Sequence, residues 1–215
     1  MTSLQRGDHF GQWMNDRCGC LTGSRMSAAM AYLKSSKDGE RKDKAERRAL
    51  KTEILAERMT GDIVTKYTTS AMQWGTEQEE FAKALYELET GRLVTEVGFI
   101  KHGTIEHLGA SPDGFVGEGL IEIKCPTTGT HLNTILDGVV PTQYYPQMTL
   151  QCLVTGREYC DFVSFDPRVD ERFRLFVRRF YPTKEQLAEV EAEAIQFLAE
   201  VDAMFDVLSR MEMVE

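Results

Sequence analysis

The sequence predicts an α+β fold with a mixed central β-sheet flanked by helices. Three observations carry this. Apolar residues recur at helical spacing up to about residue 89, then change to strand-like alternation. Alternation returns between about residues 159 and 180, around an Asp-Pro-Arg turn. A long amphipathic segment closes the chain, and this order of elements fits helices packed on a mixed sheet.

The elements follow in order. Thr22 or Ser24 can cap a helix running through Met26, Met30 and Leu33. The charged stretch from Lys34 to Arg48 begins as an exposed loop containing Gly39. A second helix is expected from about Lys44 to Met59, with Leu50, Ile54 and Leu55 inward and Gly61 as its stop. A third runs from Thr69 or Ser70 to Glu89, with Trp74, Phe81, Leu85 and Leu88 as its apolar stripe. Leu93 to Ile100 and Ile105 to Ala110 read as strands. Phe115–Val116 and Leu120–Ile123 flank the turn Gly117-Glu118-Gly119, which predicts a hairpin. After Pro126 a helix is expected at roughly Thr142 to Val154. Tyr159 to Phe165 and Phe173 to Phe180 form a pair of strands around Asp166-Pro167-Arg168. The last helix spans about 183–211, capped by Thr183, with Leu187, Val190, Ile195, Leu198, Val201 and Phe205 as apolar positions.

Length and composition bound the function. The 215 residues are 42% apolar, enough for one domain over 1–215 with a single core. No apolar run approaches the roughly 20 residues of a membrane span, and the N-terminus has no signal-like apolar core, so a cytoplasmic protein is expected. Five cysteines, an odd count at spacings unlike those of a disulfide framework, read as buried free thiols. Cys18-Gly19-Cys20 keeps a zinc or iron–sulfur site as the alternative. The net charge of -9 is set against a broadly basic surface, so any path for a nucleic acid has to be local and enclosed.

The residues that carry chemistry lie on the predicted hairpin. Ser111-Pro112-Asp113-Gly114 is followed by Ile121-Glu122-Ile123-Lys124. Glu122 and Lys124, two apart on a strand, share one face; Ile121 and Ile123 take the other, toward the core. Asp113 precedes the pairing strand, so two carboxylates and an amine converge at a sheet edge. Hard carboxylate oxygens suit Mg²⁺, which polarises a phosphate and acidifies water. Phosphodiester hydrolysis needs such a set. A surface hairpin with an ordinary Glu–Lys pair is the alternative.

Further motifs keep company with that hairpin. They are Arg17-Cys18-Gly19-Cys20-Leu21-Thr22-Gly23-Ser24, Trp74-Gly75-Thr76-Glu77-Gln78-Glu79, Gly109 to Gly114, Leu120 to Pro126, Tyr144-Tyr145-Pro146-Gln147, and Asp161 to Arg168. In this order, over roughly residues 13 to 180, they resemble the phage lambda exonuclease family of YqaJ-like viral recombinases, within the PD-(D/E)xK nuclease superfamily. The resemblance implies a restriction-endonuclease-like core. It also implies an Mg²⁺-dependent 5′→3′ exonuclease of double-stranded DNA, with Mn²⁺ as a substitute and two ions per site. Such an enzyme degrades the 5′-phosphorylated strand and leaves 3′ single-stranded DNA for recombination by strand annealing.

Residue by residue, the resemblance makes Asp113, Glu122 and the Ile123 backbone carbonyl metal ligands, and gives Lys124 the attacking water. Glu79 would position Lys124 or hold a second ion; Gln147 would bond near the water. Arg17, Thr22, Ser24 and Ser111 would form a 5′-phosphate pocket, although Thr22 and Ser24 also fit plain helix capping. Met72 would wedge apart the terminal base pair, or simply be core. One departure stands out: the family's further phosphate-binding arginine falls in Thr127-Thr128-Gly129-Thr130-His131, which has none and offers His131 instead. The resemblance also implies a homotrimeric ring around double-stranded DNA ends, a phage single-strand annealing protein as partner, no membrane, and the cytoplasm of a bacterial host. A related endonuclease or structure-specific nuclease is the alternative within the superfamily. A non-catalytic module that binds a protein through the C-terminal helix is the alternative outside it.

Overall fold

A computed structural model describes residues 15–33, 41–63 and 70–211, without the side chains of 71 and 72. The part of the Lys34–Arg48 loop that contains Gly39, and the expected wedge Met72, lie outside the described residues.

The elements are β1 (Leu21–Thr22), α1 (Gly23–Ala29), α2 (Ala45–Thr60), α3 (Ser70–Thr90), β2 (Ile100–Lys101), β3 (Leu108–Ala110), β4 (Gly114–Val116), β5 (Gly119–Lys124), α4 (Thr128–Asp137), α5 (Tyr145–Thr155), β6 (Cys160–Phe165), β7 (Leu175–Phe180) and α6 (Lys184–Ser209). The main sheet has the order β4-β5-β6-β7, and a small sheet the order β1-β3-β2. β5 and β6 run parallel, with Glu122 opposite Phe162; the other neighbours in the main sheet are antiparallel. Parallel neighbours need a long crossover. Here α4 and α5 supply it.

The sheet is covered on both faces, so β6 is buried at all six positions. On one face Leu120, Cys160, Phe162, Phe176 and Phe180 pack under Met148 and Cys152 of α5. On the other, Ile121, Ile123, Val163 and Phe165 meet Ala82 and Tyr86 of α3. A third cluster joins Met26, Leu50, Ile54, Leu150, Phe197 and Val201, tying α1, α2, α5 and α6 together.

Several expectations are corrected. The first helix stops at Ala29 and Leu33 is half exposed, because the chain leaves to pair Tyr32 with Asp43. The stripe of α3 is Ala82 and Tyr86, while Phe81 and Leu88 face outward. On α6, Ala194 and Phe197 are buried whereas Ile195 and Phe205 are largely exposed. Of the Leu93–Ile100 strand only the end survives, with Thr95 making a lone bridge to Phe115. The strand expected over Ile105–Ala110 is confined to Leu108–Ala110. Helix α4 was not expected. Its cap is Thr127, which accepts from the Thr130 N–H, and Gly138 closes it in the left-handed region. Thr183 caps α6 as expected and forms a capping box with Gln186.

A buried carboxylate fastens three elements together. Asp161 accepts from the Tyr86 hydroxyl at 2.6 Å, from Arg92 at 3.0 Å and from Arg179 at 2.7 and 2.9 Å. Burial works against its charge, but the bonds from Arg179 and Tyr86 outweigh that and lower its pKa. A lowered carboxylate pKa stabilises the fold above the ordinary value near 4, and that contribution is lost as pH falls through the lower native value. Asp161→Asn should therefore cost about 2–3 kcal/mol at neutral pH. Urea denaturation of the two proteins at pH 7 and pH 3 checks this, with the gap expected to shrink in acid.

Candidate active site

The site begins just ahead of the first residue of β4. Gly114 pairs with Ile121, and no strand continues beside Ile123 on that edge. The side chain of Asp113 completes the edge: its Oδ2 accepts the Ile123 N–H at 2.6 Å. Position 114 needs glycine, because a Cβ there would lie 2.4 Å from the Val94 side chain and 3.1 Å from the Thr95 carbonyl oxygen. The Pro-Asp-Gly turn thus sets Asp113 at the end of the ladder.

β5 then presents Glu122 and Lys124 on the face toward α5, and Ile121 and Ile123 toward α3, as their spacing predicts. Glu122 is only 2% exposed, so its carboxylate must be bonded from within. Lys124 Nζ lies 2.5 Å from its Oε1. Gln147 donates to the same oxygen at 2.5 Å and accepts from Lys124 at 3.3 Å. Gln151, one turn later on α5, donates to Oε2 at 2.6 Å. The Lys124 ammonium also lies 5.2 Å from the centre of the Tyr144 ring, a favourable cation–π distance.

These residues open onto a cleft of about 700 Å³. Asp113, Glu122, Ile123 and Lys124 line it together with Gln147 of α5 and Glu79 of α3. At the same cleft stand Arg17, Thr22, Ser24 and Ser111, with Thr22 and Ser24 hydroxyls 3.3 Å apart. Thr22 is the N-cap residue of α1, yet its side chain makes no cap bond. The chain therefore gathers every sequence-expected site residue whose side chain is described.

Electrostatics divides the cleft. Burial, then Glu122 and Glu79, push the Asp113 carboxyl well above the usual carboxylate range, against the Ile123 N–H and Lys124. Burial alone would discharge Lys124, but the contact with Glu122 and the nearness of Asp113 raise its pKa instead. Lys124 is thus an ammonium donor at neutral pH rather than a free base. At the other end Arg17 is lowered to about 10, first by burial and then by repulsion from Arg25. Arg25 is itself fixed by Glu53, Glu57 and the Cys20 carbonyl. An anion beside Arg17 would relieve that repulsion.

The donor set fits a hard divalent cation. Mg²⁺ is held by one or two carboxylates with water and phosphate completing its shell. Two close carboxylates, one resisting ionisation, and an adjacent backbone carbonyl match that need. Among the described residues no group of three or more His, Cys, Asp and Glu gathers around Cys18 and Cys20 as a zinc or iron–sulfur site would require. Cys18 and Cys20 instead donate to the carbonyls of Glu57 and Asp16, and burial raises both thiols.

Three outcomes differ from the sequence reading. His131 is fully buried between Ser164 Oγ at 2.8 Å and the Phe173 carbonyl at 2.7 Å, so it supplies no phosphate contact. Glu79 pairs with Lys83 at 2.9 Å, whereas Lys124 is held by Glu122 and Gln147. Gln151, Lys83 and the cleft residue Glu96 escaped the motif search. Gln151 and Lys83 each lie four residues beyond an expected site residue on one helix, and that period is the signal that finds them. Glu96 sits in an irregular segment with no such signal.

The model of the YqaJ-like viral recombinase domain matches residues 12–158. An alkaline exonuclease, LHK-Exo from Laribacter hongkongensis, is 42% identical in its crystal structure, with a TM-score of 0.83 over 93% of this chain and 96% of that one. Its complex with dAMP gives the same values. A phage-related exonuclease from Haemophilus somnus 129PT shares the fold, with a TM-score of 0.69 at 16% identity over 90% of this chain and 96% of that one. No curated protein is significantly similar in sequence. The matched segment contains both ends of the cleft, from Arg17 to Gln147, and the chain belongs to the YqaJ-like viral recombinase family.

Proposed function

We propose that the chain is a Mg²⁺-dependent exonuclease that degrades the 5′-phosphorylated strand of double-stranded DNA in the 5′→3′ direction. The observation that carries this reading is the single cleft with a carboxylate pair and an ammonium at one end and Arg17 at the other. A divalent cation on Asp113, Glu122 and the Ile123 carbonyl would polarise the scissile phosphate and acidify water, and Glu79 stands where a second ion could share the load. Lys124, held charged by Glu122, donates to the attacking water or the phosphate and screens the charge that builds on phosphorus. Gln147 and Gln151 keep Glu122 aimed into the cleft. Arg17, Thr22, Ser24 and Ser111 take the terminal 5′-phosphate through charge-assisted and hydroxyl hydrogen bonds.

The relative LHK-Exo binds dAMP, a deoxynucleoside monophosphate of the kind a DNA exonuclease releases. The single strand left behind would serve phage-type recombination by annealing, in a bacterial cytoplasm and beside an annealing protein. A net charge of -9 suits a ring of three copies with an enclosed DNA track and an acidic exterior. Light scattering tests that mass.

On linear 5′-phosphorylated duplex with Mg²⁺, Asp113→Ala, Glu122→Ala and Lys124→Ala should each lower kcat by about 10²-fold or more. Full activity in all three variants sinks the site assignment, and cleavage of covalently closed circles favours an endonuclease. Arg17→Ala should raise KM for phosphorylated ends by about 10-fold, with little change for dephosphorylated ends. Equal loss on both kinds of end would argue against a phosphate pocket.

Asp113 also links function to stability. A carboxyl whose native pKa is raised favours the fold below the ordinary value and opposes it as pH rises through the native value. Without metal, Asp113→Asn should therefore melt above the unmutated protein at neutral pH, by about 2–4 °C for each kcal/mol relieved. The difference should vanish near pH 3 and reverse when Mg²⁺ stabilises the unmutated chain alone. Differential scanning calorimetry with EDTA or Mg²⁺ measures all three.

A further inference from the structure

Lys83 has no part in the motifs, yet it lines the cleft beside Glu79. Helix α3 puts it one turn after Glu79 on the same face, with Nζ 2.9 Å from Oε1. Its side chain is only 15% exposed, against 34% for Glu79. A second carboxylate at its ammonium, Glu80, is 3.9 Å away and 76% exposed, and the charge of Asp113 reaches it as well. A glutamate–lysine pair four apart on an open helix surface is worth little and rearranges freely. Here the lysine is mostly buried, and the pair lines the same cleft as Asp113 and Glu122.

The cleft then holds two ammonium–carboxylate contacts, Lys124 on Glu122 and Lys83 on Glu79. They differ in how firmly the ammonium is held. Lys124 is fixed from several sides by Glu122, Gln147 and the Tyr144 ring. Lys83 leans on Glu79, with exposed Glu80 as a ready second acceptor. An ammonium and a divalent cation compete for one carboxylate, and the weaker-held ammonium is the one that yields.

We propose that Lys83 is a resident counter-ion of Glu79 that a second divalent cation must displace, so that Lys83 sets the cleft's affinity for that ion. This rests on the metal-dependent reading above. Lys83 is a positioning residue: it keeps Glu79 turned into the cleft before the ion arrives, then moves to Glu80 or to the incoming phosphate. Removing its charge frees Glu79 and deepens the negative potential, so binding tightens.

The test is Mn²⁺ titration of the full chain without DNA, by calorimetry and by the electron paramagnetic resonance of free Mn²⁺. Lys83→Met, which keeps the length of the side chain, should tighten the weaker binding event by about five-fold or more and the tighter event by a smaller factor. If the unmutated chain takes one ion, Lys83→Met should take two. Lys83→Arg, which keeps the charge, should bind no more tightly than the unmutated chain. Unchanged or weaker Mn²⁺ binding by a folded Lys83→Met overturns the proposal and leaves the nuclease reading standing. An unmutated chain that binds no Mn²⁺, or binding that survives Asp113→Asn undiminished, overturns both.

Discussion

The burial of one carboxylate constrains the rest of this molecule. Glu122 sits inside the sheet–helix sandwich, where an unbonded charge would cost several kcal/mol. Both oxygens must be met from within. Lys124 meets one because it is two residues along the same strand; Gln147 and Gln151 reach the two oxygens because they are one helical turn apart. Helix α5 therefore has to lie across the end of β5. That placement demands a close approach from α1: a Cβ on Gly23 would sit 3.4 Å from both glutamine side chains. The same approach carries Thr22 and Ser24 to the cleft. Requirements of one buried group thus bring the two ends of the site together.

The two ends oppose each other in sign. At Asp113 burial, then the charges of Glu122 and Glu79, make the carboxyl resist ionisation; at Arg17 burial, then repulsion from Arg25, lowers the guanidinium to about 10. Three basic side chains, Arg17, Lys83 and Lys124, face four carboxylates, Glu79, Glu96, Asp113 and Glu122. Without a cation such a cleft has little attraction for a polyanion, whatever its shape. A divalent ion changes the sign at one end only. Under the proposed function, the cleft would then offer positive charge to both a scissile and a terminal phosphate, a way of reading a DNA end rather than the middle of a duplex.

Much of this was visible in the sequence because strand geometry is strict. Alternation of Ile121 and Ile123 with Glu122 and Lys124 fixes which side faces which helix, and the faces came out as the spacing requires. Helix faces were read less well. On α3 the large apolar residues suggested Phe81 and Leu88, but small Ala82 and Tyr86 let the helix sit close on the sheet, and Tyr86 is drawn in by Asp161. Helix α4 was hidden by its threonines and glycine, poor helix formers that tertiary contact overrides. His131 looked like a candidate ligand because sequence shows a titratable ring but not its surroundings. Its hydrogen bonds to Ser164 and Phe173 join residues more than thirty positions away. Lys83 and Gln151 were missed for a different reason: each is ordinary alone and acquires meaning only from the partner one turn back.

The unfavourable state of Asp113 connects these points. A protein of marginal stability gains nothing by placing a third carboxylate near Glu122 and Glu79. The arrangement is tolerable because the resident ammonium groups of Lys124 and Lys83 offset two of the three charges, and the Ile123 N–H takes part of the third. What the side chains leave unbalanced is the free energy available to a cation, since a ligand that binds only the folded chain stabilises it by its own binding. On the proposed reading, the end of the cleft that takes the metal is therefore strained in proportion to its affinity. Gln147 and the buried Gln151, both on helix α5, hold Glu122 and let it stay strained without collapsing, which a site built on mobile loops could not do.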